Sequence, residues 1–86
     1  MGKIVAWDSL KPGDVVWEEW LYGTRTMKAK VIRRGDVNRI FFRYMPKVNE
    51  PFHAMVRPSR EYRYWDSEPT MEERQVTGWE DRHEAV

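Results

Sequence analysis

Leu10-Lys11-Pro12-Gly13-Asp14-Val15-Val16-Trp17 is the stretch on which the fold turns. Pro12 fixes its own φ and Gly13 accepts a positive one, the requirements of the two central positions of a type II turn. A β-rich run follows, so this turn launches the first long strand, Val15 to Tyr22. Alternation there is imperfect. Val15, Trp17 and Leu21 share one face and Val16, Trp20 and Tyr22 the other, so both faces are partly covered. Upstream, Ile4-Val5-Ala6-Trp7 reads as a short strand or an apolar plug, and Asp8-Ser9 as a local turn.

Downstream, turns and alternating runs continue. Arg25 to Arg33 sets Met27, Ala29 and Val31 against Thr26, Lys28, Lys30 and Ile32. Arg34-Gly35-Asp36 turns the chain, with Gly35 expected at φ > 0. In the next strand Ile40, Phe42 and Tyr44 are expected to point inward, because burying the unpaired guanidiniums of Arg39 and Arg43 costs several kcal/mol each. Pro51 to Val56 and Glu61 to Trp65 complete the β segments. Thr70-Met71-Glu72-Glu73 then has the form of a capping box, with Met71, Gln75 and Trp79 in helical phase. The expected fold is mainly β: a small SH3-like barrel of four to five antiparallel strands over residues 1–66. An acidic C-terminal helix and tail over residues 67–86 packs on or beside it.

The chain has 86 residues, enough for one domain, and twelve of them are aromatic, five being Trp. There is no Cys, hence no disulfide framework and no thiolate metal site. No apolar run approaches the roughly 18 residues of a membrane span, and no signal-peptide core follows Met1. A soluble cytoplasmic protein is the expectation. The net charge of +1 conceals an asymmetry: residues 1–23 sum to −2, residues 24–64 to +8 and residues 65–86 to −5. Such a distribution shapes the surface field and the choice of partner.

Gly13-Asp14-Val15-Val16, Lys28-Ala29-Lys30-Val31-Ile32 and Ile40-Phe41-Phe42-Arg43-Tyr44 together resemble the opening strands of Tudor-like and KOW-like SH3 barrels. That resemblance implies the barrel architecture. It implies no ligand, because Tyr44 is followed by Met45-Pro46 rather than by the Tudor-type finish. The Leu10–Trp17 opening and the Tyr64-Trp65-Asp66, Pro69-Thr70 and Glu73-Arg74 ending also resemble small orphan proteins of temperate phages. Such proteins are often accessory factors or inhibitors of host machinery, including defence nucleases of the anti-CRISPR-targeted kind.

Two binding surfaces are expected. Lys28, Lys30, Arg39, Phe41, Arg43 and Arg63 would share an outer sheet face, cations tracking phosphates and a ring stacking a base, as single-stranded nucleic acid requires, so that the protein would engage nucleic acid or a protein–nucleic acid complex. The bland alternative is a solvated face that discourages edge pairing. The competing surface is a Trp-rich edge with an acidic helix, made of Trp17, Trp20, Trp65, Glu72, Glu73 and Trp79, that engages a host nucleic-acid enzyme as a protein-interaction module. No catalytic function is expected. Glu18 and Glu19 point apart on a strand, His53 and His83 are isolated, and no nucleophile elbow or phosphate loop exists. No cofactor, metal or membrane partner is expected.

Overall fold

A computed structural model describes residues 2–44 and 52–75. The Pro12-Gly13 turn forms as the sequence requires: Gly13 has φ 97° and the Asp14 amide donates to the Lys11 carbonyl at 3.1 Å. Gly35, by contrast, does not take a positive φ, and the chain reverses there through a Gly35 N–H to Asn38 O bond of 2.9 Å.

Six strands follow from the alternating runs: β1 (Ile4–Val5), β2 (Val15–Trp20), β3 (Thr26–Arg34), β4 (Arg39–Arg43), β5 (Phe52–Val56) and β6 (Tyr62–Trp65). They form one antiparallel sheet in the order β1-β6-β2-β3-β4-β5. Its edges, β1 and β5, do not pair with each other, so the sheet is open. This corrects the SH3-like barrel and the Tudor or KOW likeness. The expected strands and turns are present, but closure needs hydrogen bonds between the two edge strands, and β1 is two residues long and paired to β6 alone among the described strands.

The register divides the sheet into two faces, since directly opposed residues share a face. Val16 lies opposite Ala29, Ala29 opposite Arg43, and Val31 opposite Phe41. These residues, with Glu18, Trp20, Met27, Arg39, Tyr62 and Tyr64, form the inner face. Val15, Trp17, Glu19, Lys28, Lys30, Ile40, Phe42, His53, Met55, Arg63 and Trp65 form the outer face. A register shift between Val31 and Arg33 brings Arg33 to the outer face, where strict alternation would have kept it with Val31.

The core lies on the inner face. The chain from β1 to the turn, including a 3-10 turn at Trp7–Ser9, folds over it as a lid. Trp7, Leu10, Val16, Ala29, Val31, Phe41 and Tyr64 are buried together. Trp7 sits 5.5 Å from the Tyr64 ring and 6.1 Å from Phe41, and Phe41 meets Tyr64 edge-on at 5.5 Å. The indole N–H donates to Val37 O at 2.7 Å, so the ring is buried without an unpaired donor. Burying side chains of the size of Trp7 or Leu10 stabilises by about 2–3 kcal/mol each.

The inward choice of Ile40, Phe42 and Tyr44 is corrected: Phe41 and Arg39 face the core. Arg39 is buried without a carboxylate partner because backbone carbonyls take its donors. It donates to Leu10 O at 3.0 Å, Asn38 O at 2.9 Å, Val37 O at 3.2 Å and Gly35 O at 3.3 Å, and its guanidinium lies 5.4 Å from the Trp7 ring centroid. Satisfied donors remove most of the burial penalty that the alternation argument assumed.

After β6 comes α1 (Met71–Arg74), one turn long, with the expected capping box. Thr70 Oγ1 accepts from Glu73 N at 3.1 Å, and Glu73 Oε1 accepts from Thr70 N at 2.9 Å. Glu73 Oε2 also accepts from Gly2 N at 2.9 Å, which ties the N-terminal end of the described residues to the helix.

Candidate functional site

Adjacent glutamates of β2 organise both faces, because successive strand residues point apart. Glu18 faces inward. Arg43 Nη2 donates to its Oε2 at 3.0 Å and the Tyr64 hydroxyl to the same oxygen at 3.1 Å. Burial, followed by the charge of Glu18, holds the Tyr64 hydroxyl well above the usual tyrosine range. Glu19 faces outward beneath α1. It accepts from Arg63 Nε at 2.5 Å, Trp65 Nε1 at 2.8 Å and Arg74 Nε at 3.1 Å. Burial pushes the Glu19 carboxyl up, but these hydrogen bonds and the Arg63 charge outweigh it and hold the group below the ordinary carboxylate value. Arg63 Nη2 also donates to Arg74 O, the end of the helix turn, at 2.6 Å.

These pairs dismantle the expected nucleic-acid surface. Of its six residues, Lys28 and Lys30 alone are exposed on the outer face. Phe41 is in the core. Arg39 is buried against carbonyls, where burial and then Arg34 lower its pKa. Arg43 is on the inner face against Glu18. Arg63 is on the outer face but fully buried in the Glu19 cluster. The alternative surface is dispersed as well. Trp17 is half-buried on the outer face and Trp20 half-exposed on the inner one. Trp65 is buried on Glu19, Glu72 is exposed, and Glu73 is engaged in the capping box. Trp79 lies outside the described residues.

What the structure brings together was missed from the sequence. On the outer face Lys28 Nζ lies 5.8 Å from the Trp17 ring centroid and 5.2 Å from that of Tyr44. Phe42 is 4.9 Å from Tyr44 and 5.4 Å from His53. Lys30 is directly opposite Val15 and Phe42, and Arg33 opposite Ile40. The face carries one carboxylate among the described strand residues, Glu19, and that one is buried and paired. Its open part is therefore aromatic, aliphatic and cationic. Arg43 and Arg63 within aromatic strands, set against the Glu18-Glu19 pair, were the signal for internal ion pairs; reading it required the register.

Among the described residues no group of three or more His, Cys, Asp or Glu could hold a metal ion, and no helix is long and apolar enough to cross a membrane. Comparison with protein-family models, curated proteins and solved structures gave no match. The likeness to phage-encoded host inhibitors thus has no support and is withdrawn along with the barrel. What stands is a small β domain with a buried aromatic cluster and acidic and basic residues at its surface.

Proposed function

We propose that the protein is a protein-interaction domain whose open outer face docks an acidic, amphipathic segment of a partner protein. The observation that carries this reading is the Trp17–Lys28–Tyr44 cluster. A lysine between two half-exposed rings, on the same face as Phe42, Lys30 and Arg33, offers apolar contact area and positive charge with no exposed carboxylate on the described strands of that face to oppose it. The same geometry disfavours single-stranded nucleic acid. Lys28 already lies over both rings, and Phe42 meets Tyr44 at 60° rather than in a row of parallel stacking platforms. The proposed set of phosphate-tracking cations also loses Arg39, Arg43 and Arg63 to internal partners.

The test is selection of a displayed random-peptide library on the folded domain. Selected peptides are expected to combine Asp or Glu with aromatic or aliphatic residues. Lys28→Glu and Trp17→Ser, both on the open face, should each weaken a selected peptide by about tenfold or more. Peptides without acidic residues, or bound equally by both variants, refute the reading. An oligouridine that binds more tightly than any peptide, with a log–log salt slope near −2 as expected for three cations on a single strand, would transfer the face to nucleic acid.

A further inference from the structure

The lid covers only part of the inner face. Beyond Tyr64 the face continues through Glu18, Trp20, Met27, Arg43 and Tyr62 and forms an open cleft of about 340 Å³, lined also by Gly23, Thr24 and Arg25. That volume is at the lower end of the roughly 300–1,000 Å³ typical of small-ligand sites. Its walls divide by chemistry. Trp20 lies nearly parallel to Tyr62, 24° between planes and 6.4 Å between centroids, and remains 42% exposed, so one flat apolar surface faces the cleft with Met27 beside it. The lining also holds two guanidiniums, Arg25 and Arg43, against the Glu18 carboxylate, a formal excess of one positive charge.

Glu18 holds the Nε and Nη2 edge of Arg43, whose side chain remains 21% exposed. Its Nη2 donates to Glu18. Its Nε lies 3.0 Å from Glu18 Oε1, yet its N–H is not directed at that oxygen and meets no acceptor although the atom is buried. The rim is held in place: Arg74 Nη1 donates to Thr24 O at 2.9 Å, and Gly23 N to Trp20 O at 3.0 Å. Anchoring of this kind keeps the cleft open without a ligand, which lowers the ordering cost of binding one.

We infer that this cleft binds an aromatic carboxylate, the ring stacked on Trp20 and the carboxylate on Arg43 and Arg25. A planar anion matches a planar guanidinium whose second edge is available while Glu18 holds the first. The site lies on the opposite face from the proposed docking surface and does not depend on it.

The probe is indole-3-acetate, titrated into the ¹⁵N-labelled full-length protein and followed by backbone amide shifts. Saturable binding is expected, with the largest shifts at Gly23, Thr24, Arg25 and Met27. Indole-3-acetamide, which keeps the ring and loses the charge, should bind about tenfold more weakly. Arg43→Met would strand Glu18 and risks unfolding, so the variant of choice is Arg25→Glu on the exposed rim, expected to weaken binding at least about fivefold with the spectrum otherwise unchanged. A short peptide ending in Trp, with a free or an amidated C-terminus, forms the second arm. Tighter binding of the free acid peptide than of indole-3-acetate assigns the cleft to polypeptide C-termini, and the reverse assigns it to a free small acid. Equal binding of acid and amide overturns the inference. So do shifts centred on Trp17, Lys28 and Phe42, or no saturation by about 10 mM.

Discussion

Replacing Glu19 by Gln should be strongly destabilising. The substitution keeps the shape and a hydrogen-bonding side chain, but removes a negative charge paired with both Arg63, which is fully buried, and Arg74, which is 14% exposed. Breaking a buried pair by neutralising one partner costs about 3–5 kcal/mol, because the other charge is left without compensation. A domain of 86 residues holds a total of about 4–13 kcal/mol, so Glu19→Gln removes a large share of it. With a urea m-value near 1.5 kcal/mol/M, the midpoint should fall by about 2–3 M. The exposed Lys11–Asp14 pair is the internal control, and Lys11→Ala should cost under about 0.5 kcal/mol. Exchanging both buried partners for apolar residues, Glu19→Leu with Arg63→Met, should recover much of the loss. The same carboxylate predicts an acid response. Its folded-state pKa is depressed, so its contribution is fully present above the ordinary value of 4.5 and is lost as pH falls below that through the folded value. Wild-type stability should therefore drop below about pH 4.5, and Glu19→Gln should flatten that limb. A loss under about 1 kcal/mol with an unchanged m-value would falsify the cluster as a stabilising centre.

Three further outcomes follow from the geometry. Arg39→Met should destabilise by about 2–4 kcal/mol in the same urea assay, because the carbonyls of Leu10 and Asn38 lose their charged donor; hydrogen exchange should show the lid over residues 7–10 opening first. Gly13→Ala should cost about 1–2 kcal/mol from the positive φ alone, since nothing crowds the position, and a neutral result in thermal melts would contradict the turn assignment. The Tyr64 hydroxyl should resist ionisation in an alkaline absorbance titration. With its folded pKa raised, its contribution is present below the ordinary value of 10.0 and is lost as pH rises towards the folded one, so early ionisation of all four tyrosines without unfolding would rule out its burial against Glu18.

Local chemistry was legible in the residues themselves. The Pro12-Gly13 turn and the Thr70–Glu73 capping box depend on φ preferences and on hydrogen bonds within four residues, the strand positions on alternation, and each stands in the structure as the residue types require. The inward set of β4 was misjudged for an identifiable reason. Arg39 and Arg43 were weighed as unpaired charges, whereas their partners, the Leu10 carbonyl and Glu18, are 29 and 25 residues away in sequence. No periodicity reports a partner at that distance. Arg63 and Glu19, separated by 44 residues, were hidden for the same reason. The displacement of Arg33 to the outer face depends on a register shift that alternation cannot show.

By itself, then, the sequence determined the secondary structure, its turns and the mainly β character, because these follow from short-range sterics and from alternation. The tertiary structure decided which face each arginine occupies, whether the sheet closes, and where a partner or ligand can reach it. Those outcomes rest on inter-strand register and on charge pairs between distant residues. A one-residue change of register moves every side chain to the other face, and a buried guanidinium is tolerated only where the fold delivers its acceptors.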